Sequence, residues 1–514
     1  MRRRTGGRFA AEERGVRVAK SSVIGATVAA ALVIACASRS PAPTVAPRAD
    51  TSHAGRALSA WLGAYNTANV DSLRAFAAEH FAAASLATRS AEERAASDRW
   101  MHVNLGPMSP VSVKLVGDTV ATAVVRQRLI DGWGRVTVRV ETGPAPERRL
   151  VSRSITFFEP PPTRGSPRTL DAALARDADA YARRLASADI FAGVVLVAAH
   201  DSVLLARAYG AARREPMVLS STDTRFQLAS VSKMFTAVAI AKLIDEGRLS
   251  FTDTLSKLLP DYPNSAAASR ITVEQLLAHT SGVPDYFMLP AYAERQGMLR
   301  ELRDFWPVFA NEPLRFAPGT SYEYSSSGYI LLGSIIERVS GRPFREYVAE
   351  HVLGPAGMMS TSYEEGAAAA PLATPYTKAF GPGRQPDSDH WHEVPLPASR
   401  VAMSSGGGTS TARDLAKFMN ALIHYRLISK RVTDYLLANR VQTEDGGRGL
   451  GFESNVWNGV RVIGHNGFAR GVFNQVDAYP DLDAVVVVLS NTDTSGGGAV
   501  SYWLRLQLSG DARP

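Results

Sequence analysis

The sequence predicts an α+β fold, in which an antiparallel sheet is flanked by helices and carries a mainly helical insert, preceded by a small α+β cone-like domain. Three observations predict it. Residues 52–160 and 168–510 follow different hydrophobic patterns, which indicates two units. Within the second unit, apolar strand-like runs stand near both ends, at Gly193 to Ala199 and at Ala484 to Leu489. The residues between these ends are mostly helical in pattern, so the sheet must be assembled from both ends of the chain.

Composition excludes several classes of protein. The 514 residues are 45% apolar and 21% charged, which is typical of globular proteins with two or three domains. Of the formal charge of +8, the first twenty residues contribute +5, since six Arg and one Lys stand against two Glu there, and +3 remains for the rest. We therefore expect no nucleic-acid partner.

Residues 1–35 resemble a bacterial lipoprotein signal peptide. A basic start is followed by an uncharged run from Ser21 to Ala35, which is shorter than the about 20 residues that span a bilayer. Cys36, the only cysteine, follows Val33-Ile34-Ala35 and is the predicted lipidation site. The alternative is a signal anchor with an incidental cysteine.

Residues 36–51, which include three prolines, are predicted to be a tether between membrane and fold. We expect the protein to be exported and lipid-anchored to the bacterial membrane, facing the periplasm or the cell surface. Because there is a single cysteine, no internal disulfide can stabilise the exported domains.

The segment 52–160 is predicted to contain two helices and then an antiparallel sheet. Leu58, Trp61 and Tyr65 have helical spacing, whereas Val136 and Val138 belong to an alternating strand pattern. This order resembles the cone-shaped fold of the nuclear-transport-factor-like superfamily. No acid, base or metal constellation is visible, which favours a spacer or dimerisation module over a second active site.

Ser230 and Lys233 form the pattern that points to chemistry. The helix predicted from Ser230 to about Glu246 is apolar on nearly every side and therefore buried, and Gly247 ends it. Ser230 lies in its first turn, and Lys233, one turn later, lies on the same face. A serine hydroxyl needs a base to remove its proton, and a desolvated lysine can be that base.

Four further blocks accompany this pattern in order, and together they resemble class C β-lactamases, D-alanyl-D-alanine carboxypeptidases and related esterases. The resemblance covers about two thirds of the chain and implies a β-lactamase/transpeptidase-like fold and an acyl-enzyme on Ser230. The matching blocks are Phe226 to Ala241 (FQLASVSKMFTAVAIA), Ile271 to Gly282 with LLAHTSG at its end, Phe316 to Gly333 with YSSSGYILLG at its end, Gly406 to Leu415, and Gly464 to Gly467 (GHNG).

The resemblance also assigns roles to individual residues. Tyr324 is implied as the second catalytic residue, which relays the proton to the leaving group and later activates water. The backbone N–H groups of Ser230 and Phe468 are implied as the oxyanion hole. His279, in the LLAHTSG segment, is interpreted as a structural residue that fixes the loop after its helix.

Four positions are predicted to bind substrate: Ser326, His465, Asn466 and Gly467. Two of them depart from the family pattern. Ser326 stands where Asn commonly reads an acylamino group, and His465-Asn466-Gly467 replaces Lys-Thr-Gly. With an ordinary pKa of about 6.5, His465 is mostly neutral at pH 7, so we expect hydrolysis of carboxylate-bearing substrates to strengthen as pH falls through about 6.5.

These observations predict a serine hydrolase acting through an acyl-enzyme on esters, D-amino-acid peptides or β-lactams at the cell envelope. One alternative is a penicillin- or muropeptide-binding protein without efficient turnover, and another has the cone domain as the main ligand binder. The predicted partners are a small-molecule or peptide substrate and the membrane. The histidines show no ligand spacing, so we predict no metal and no other cofactor.

Overall fold

A computed structural model describes residues 51–142, 148–157, 167–200, 202–363, 371–378, 389–395, 404–443 and 446–510. The predicted signal peptide, Cys36 and nearly all of the tether lie outside these ranges, as do residues 158–166, where the two predicted units meet. Among the described helices, none combines the length and the apolar character needed to cross a membrane.

The N-terminal unit packs four helices against a four-stranded antiparallel sheet. Its strands lie in the order β1-β2-β3-β4. The helices are α1 (His53–Asn66), α2 (Val70–His80), α3 (Ala83–Thr88) and α4 (Ala91–Leu105), and the strands are β1 (Met108–Val116), β2 (Val120–Gln127), β3 (Trp133–Val140) and β4 (Leu150–Phe157).

The prediction of two helices before this sheet is wrong, because the structure has four there and α3 and α4 were not predicted. The sequence pattern missed α4 because its buried face includes the polar side chains of Asp98 and Asn104. Asp98 is held by a buried ion pair with Arg153 at 2.6 Å and by the indole N–H of Trp61 at 2.9 Å. A buried charge of this kind persists only when it is paired. A helix is predicted from the spacing of its apolar residues, so a polar residue on the buried face hides that pattern.

The second unit is built on an eight-stranded antiparallel sheet with the order β13-β14-β15-β16-β17-β18-β5-β6. The strands from residue 193 onward are β5 (Gly193–Ala199), β6 (Ser202–Tyr209), β7 (Ala211–Arg213), β8 (Val218–Leu219), β9 (Phe226–Gln227), β10 (Tyr376–Thr377), β11 (His392–Glu393), β12 (Thr409–Ser410), β13 (Val441–Thr443), β14 (Gly446–Arg448), β15 (Glu453–Trp457), β16 (Val460–Ala469), β17 (Val472–Tyr479) and β18 (Ala484–Ser490). Strand β18 pairs with β5 along its whole length, from Ala484 opposite Ala199 to Ser490 opposite Gly193. This arrangement confirms the predicted fold class.

Helices cover both faces of the sheet. The helices of this unit are α5 (Ala172–Ser187), α6 (Lys233–Asp245), α7 (Leu255–Leu258), α8 (Ser265–Ala268), α9 (Val273–Leu277), α10 (Pro290–Arg295), α11 (Trp306–Phe309), α12 (Ser326–Ser340), α13 (Phe344–Val348), α14 (Ala412–Ile423), α15 (Lys430–Leu437) and α16 (Ser495–Ser509). Val195 and Val197 pack towards α5 and α16, whereas Val194 and Leu196 pack towards α6 and the insert. Because both faces are buried, β5 is continuously apolar.

Helix α16 begins at Ser495. Glycines fill its first turn and weaken the helical pattern in the sequence. They are needed there, since a Cβ on Gly496 would lie 2.2 Å from the carbonyl oxygen of Ile190.

Candidate active site

Ser230 lies on a sharp turn at the entrance to α6. Residues Ala229–Ser232 form one turn of 3₁₀-helix and α6 proper begins at Lys233, so the predicted helix is confirmed with a tighter first turn. Ala229 has a positive φ of 48°, which is unusual for a residue with a side chain. Such strain is typical of functional sites. Ser230 is partly exposed, and its Oγ lies 3.3 Å from Nζ of Lys233.

The side chain of Lys233 is completely buried. Its Nζ lies 3.5 Å from Oγ of Ser326 and donates a hydrogen bond to the carbonyl of Ser405. The ring of Tyr324 lies 4.8 Å from the same nitrogen. Burial lowers the pKa of Lys233 to about 7, and the negative charge of Asp285 opposes this shift. The predicted desolvated lysine is therefore present beside Ser230.

Tyr324 lies in the loop before α12 with its phenol close to the side chain of Ser230. Burial raises the pKa of the phenol, and the interaction with Ser230 acts in the opposite direction. Its ring stacks on His279 at 4.3 Å. Nδ1 of His279 accepts a hydrogen bond from the N–H of Ser325 at 3.1 Å, and burial holds the pKa of His279 well below its usual value. The ring of His279 therefore remains neutral and supports Tyr324.

Strand β16 brings the block Gly464 to Gly467 (GHNG) against the turn that carries Ser230. Beyond Gly464, β16 pairs with β17 only, among the described strands, which leaves its other edge towards that turn. A Cβ on Gly467 would lie 2.2 Å from the carbonyl oxygen of Leu228, so only glycine permits this approach. Asn474 of β17 adds a hydrogen bond from its side-chain amide to the carbonyl of Gln227 at 2.7 Å.

The predicted substrate-binding residues differ in exposure. Asn466 is exposed, Phe468 is 49% exposed, and Ser326 and His465 are buried. The N–H of Ser326 donates to Oδ2 of Asp285 at 3.2 Å. The side chain of Ser326 is thus buried beside Lys233.

The expectation that His465 titrates near pH 6.5 is wrong. Burial lowers its pKa to about 4, and the negative charge of Glu453 offsets only part of that shift. Its Nδ1 lies 2.5 Å from the carbonyl of Asn466, and a carbonyl can only accept, so Nδ1 carries the proton of the neutral ring. His465 is therefore uncharged throughout the physiological range, so its titration does not produce the predicted increase in activity through pH 6.5.

Comparison with known proteins agrees with this geometry. The family model described as Beta-lactamase matches residues 178–510. The chain belongs to the β-lactamase family.

Two curated relatives and one solved structure illustrate how far the likeness extends. Penicillin-binding protein 4* of Bacillus subtilis (strain 168) is 29% identical over 326 residues, which is 59% of this chain and 68% of that protein. Protein flp of Staphylococcus aureus (strain MW2) is 33% identical over 174 residues, 33% of this chain and only 34% of flp. The structure of a D-stereospecific amidohydrolase from Streptomyces sp. superposes with a TM-score of 0.55 at 25% identity, covering 66% of this chain and all of that one (100%).

Other residues of this β-lactamase-family site were not found from the sequence. Asp285 and Ser405 approach Lys233, and Arg448 and Glu453, an ion pair at 3.3 Å, line a small cavity behind Tyr324. Asp285 follows the LLAHTSG block by three residues, which is the one sequence feature that could have indicated it. In the described part of the chain, His, Cys, Asp and Glu side chains form no group of three or more suited to hold a metal ion.

Proposed function

We propose that the protein is a serine hydrolase that acts through an acyl-enzyme formed on Ser230. One observation carries the proposal: Oγ of a partly exposed serine lies 3.3 Å from Nζ of a fully buried lysine whose pKa is about 7. A lysine in that state is neutral in a large share of molecules at pH 7 and can accept the serine proton.

The proposed reaction uses these side chains in turn. Ser230 Oγ bonds to the acyl carbon while its proton passes to Lys233, and the bond to the leaving group breaks as that group takes up a proton through Tyr324. The N–H groups of Ser230 and Phe468 are the proposed donors to the oxyanion. Water then hydrolyses the ester, releases the acid and returns a proton to Ser230.

The substrates we propose are esters, amides or short peptides of D-amino acids, and β-lactams, encountered at the cell envelope. The Streptomyces protein, a D-stereospecific amidohydrolase, supports the amide class, and the Bacillus subtilis protein, a penicillin-binding protein, supports the binding of penicillin. The predicted lipid anchor at Cys36 supports the envelope location.

Substitution of the nucleophile tests the proposal. The full chain, Ser230→Ala and Ser269→Ala are each incubated with a p-nitrophenyl ester and with a fluorescent penicillin. Ser269 is an exposed serine and serves as the control. We expect Ser230→Ala to lose at least about 1000-fold of the ester turnover and all covalent labelling, and Ser269→Ala to match the unmodified chain.

Two results would count against hydrolysis at this site. Turnover that persists in Ser230→Ala would place the chemistry elsewhere. Stable labelling by penicillin, with no turnover of the ester or of any amide, would favour the penicillin-binding alternative.

A further inference from the structure

The sheet of the N-terminal unit has an outer face that takes no part in the described hydrophobic cores. Along β2 and β3 every second residue is buried, and these residues, among them Ala123 and Val138, pack under the helices. The residues between them point the other way and are half-buried or exposed. Thr122 and Thr137 mark the middle of this outer face, where their hydroxyls lie 3.1 Å apart.

The outer face carries four cations and no anion, and we call it the basic face. None of the strands β1 to β4 contains an Asp or a Glu. Side chains two residues apart on a strand share a face, and neighbouring strands lie about 4.8 Å apart, so the outward cations form one surface. They belong to the same outward set as Thr122 and are Lys114 on β1, Arg126 on β2, and Arg135 and Arg139 on β3.

Two of these cations have no counter-ion among the described residues. Lys114 and Arg139 are exposed, and neither forms an ion pair with any part of the chain that the structure describes. Arg126 lies 3.7 Å from the carboxylate of Asp131, which is near the limit of an ion pair. The positive charge of the basic face is therefore compensated only in part.

The charge of the chain is divided unevenly between the two units. Residues 51–157 contain 13 Lys and Arg against nine Asp and Glu, whereas residues 158–514 contain 35 against 37. The N-terminal unit is therefore basic and the catalytic unit slightly acidic. An anionic surface would attract the N-terminal unit and would not attract the catalytic unit.

A second copy of the chain is poorly suited to cover the basic face. Two copies related by a twofold axis would bring the same residues together, so Lys114 and Arg139 of one copy would face the cations of the other. Like charges placed across an interface oppose association. The basic face therefore suits a partner that carries negative charge.

We propose that the basic face binds the anionic phospholipid surface of the membrane that holds the predicted lipid anchor at Cys36. Fourteen residues separate Cys36 from Thr51, so the N-terminal unit begins at most about 50 Å from the anchor. The first folded unit after the anchor is thus also the basic one. An acyl chain combined with a basic patch holds a protein at a membrane more firmly than a single acyl chain does.

The side chains of the basic face match the chemistry of a phosphate headgroup. A guanidinium group can donate two parallel hydrogen bonds to phosphate oxygens, and a lysine ammonium adds a point charge. The exposed hydroxyls of Ser152, Ser154 and Thr156 on β4 provide further donors. Trp133, paired with Arg126 across the strands, is of a residue type that is enriched where membranes meet water. Binding is therefore expected to require anionic lipid and to weaken with salt.

Binding to lipid vesicles tests the basic face. The vesicles contain either phosphatidylcholine alone or phosphatidylcholine with about one third phosphatidylglycerol, which is anionic. The protein is the fragment 51–514, so that neither the predicted signal peptide nor a lipid contributes to binding. This fragment retains every described helix and strand and the hydrophobic cores of both units, and it therefore folds without the residues before it.

Two double variants separate the basic face from net charge. Lys114→Glu with Arg139→Glu reverses the two cations that lack a counter-ion. Arg176→Glu with Arg207→Glu is the matched control, since these exposed arginines of the catalytic unit give the same change of net charge. A basic residue near an anionic membrane contributes about fivefold to binding, so we expect the first variant to bind the anionic vesicles at least about 25-fold more weakly than the unmodified fragment. The control should stay within about threefold of the unmodified fragment, and no form should bind phosphatidylcholine alone.

Several results would overturn membrane binding by this face. One is an unmodified fragment that shows no preference for anionic vesicles, and another is an equal loss of binding in both double variants. Displacement from the vesicles by free polyglycerol phosphate, at the same concentration of phosphate, would assign the face to an anionic polymer instead. A dimer of the unmodified fragment that is lost only in the Lys114 and Arg139 variant would assign it to a second copy.

Thermal unfolding of each variant separates binding from folding. If the variant with Glu at both positions is less stable than the control, Lys114→Gln with Arg139→Gln takes its place and must still weaken binding. Vesicle binding needs no turnover, so its outcome is independent of whether Ser230 forms an acyl-enzyme.

Discussion

At the residue scale, burial of one amine determines what the site can do. Lys233 has no exposed surface, and its nitrogen contacts the hydroxyls of Ser230 and Ser326 and the carbonyl of Ser405. Three neutral partners and one nearby carboxylate do not compensate for the loss of water around an ammonium ion. The neutral amine is therefore favoured, and a neutral amine beside a serine is a base.

The pH dependence of acylation tests this state of Lys233. The amine is neutral above its pKa of about 7 and protonated below it, so acylation must be present above pH 7 and must be lost as pH falls through that value. We expect the rate of labelling by a fluorescent penicillin to fall about 10-fold per pH unit below pH 6.5. His465, with a pKa of about 4, does not titrate in that range and so does not contribute to this pH dependence.

Lys233→Arg provides the comparison for that profile. Arginine stays protonated in proteins, so this variant must lose activity at every pH, by at least about 100-fold. A rate that is flat from pH 6 to pH 8 in the unmodified chain would contradict a neutral lysine as the base.

At the scale of elements, the site depends on how closely β16 approaches the turn before α6. The sequence predicted α6 from an apolar run, and it indicated the GHNG block as a family motif without predicting the strand β16 that carries it. Their distance apart could not be predicted, because it is set by contacts such as the one between Gly467 and the carbonyl of Leu228. For the same reason the sequence indicated Ser230 and Lys233, one helical turn apart, and missed Asp285, which reaches them only through the tertiary fold.

Gly467→Ala tests the contact between these two elements. The added Cβ would lie 2.2 Å from a backbone oxygen, so either β16 or the turn with Ser230 must shift. We expect acylation to fall at least about 100-fold, since small displacements of reacting groups have large effects on rate, and stability to fall by about 1–3 kcal/mol. Labelling kinetics and urea unfolding measure the two effects.

Gly297→Ala is the matched control for that substitution. A Cβ at Gly297 would meet nothing within 4 Å, and the residue lies in the helical insert. We expect it to leave both labelling and stability unchanged. Normal labelling in Gly467→Ala would show that the site tolerates a wider separation of β16 and the turn.

At the scale of the whole molecule, the N-terminal unit packs against the helices on the far side of the sheet. Tyr181 of α5 donates its hydroxyl to the carbonyl of Ile130 at 2.7 Å, and Ile130 packs against the cores of both units. Helix α16 lacks a side-chain cap from its own Thr494, which instead donates to the carbonyl of Ile190. The missing acceptor comes from α4, where the side-chain Oδ1 of Asn104 accepts a hydrogen bond from the N–H of Ser495 at 3.3 Å.

Asn104→Ala tests whether the N-terminal unit stabilises the catalytic unit through this cap. Asn104 is fully buried, and its loss leaves the N–H of Ser495 without an acceptor, so we expect stability to fall by about 1–2 kcal/mol. Hydrogen exchange should quicken at the first turn of α16. Asn69→Ala removes a cap inside the N-terminal unit alone, where Oδ1 of Asn69 accepts from the N–H of Ser72 at 2.8 Å, and should quicken exchange in α2 but not in α16. If hydrogen exchange at α16 were the same in both variants, Asn104 of the N-terminal unit would not stabilise the catalytic unit.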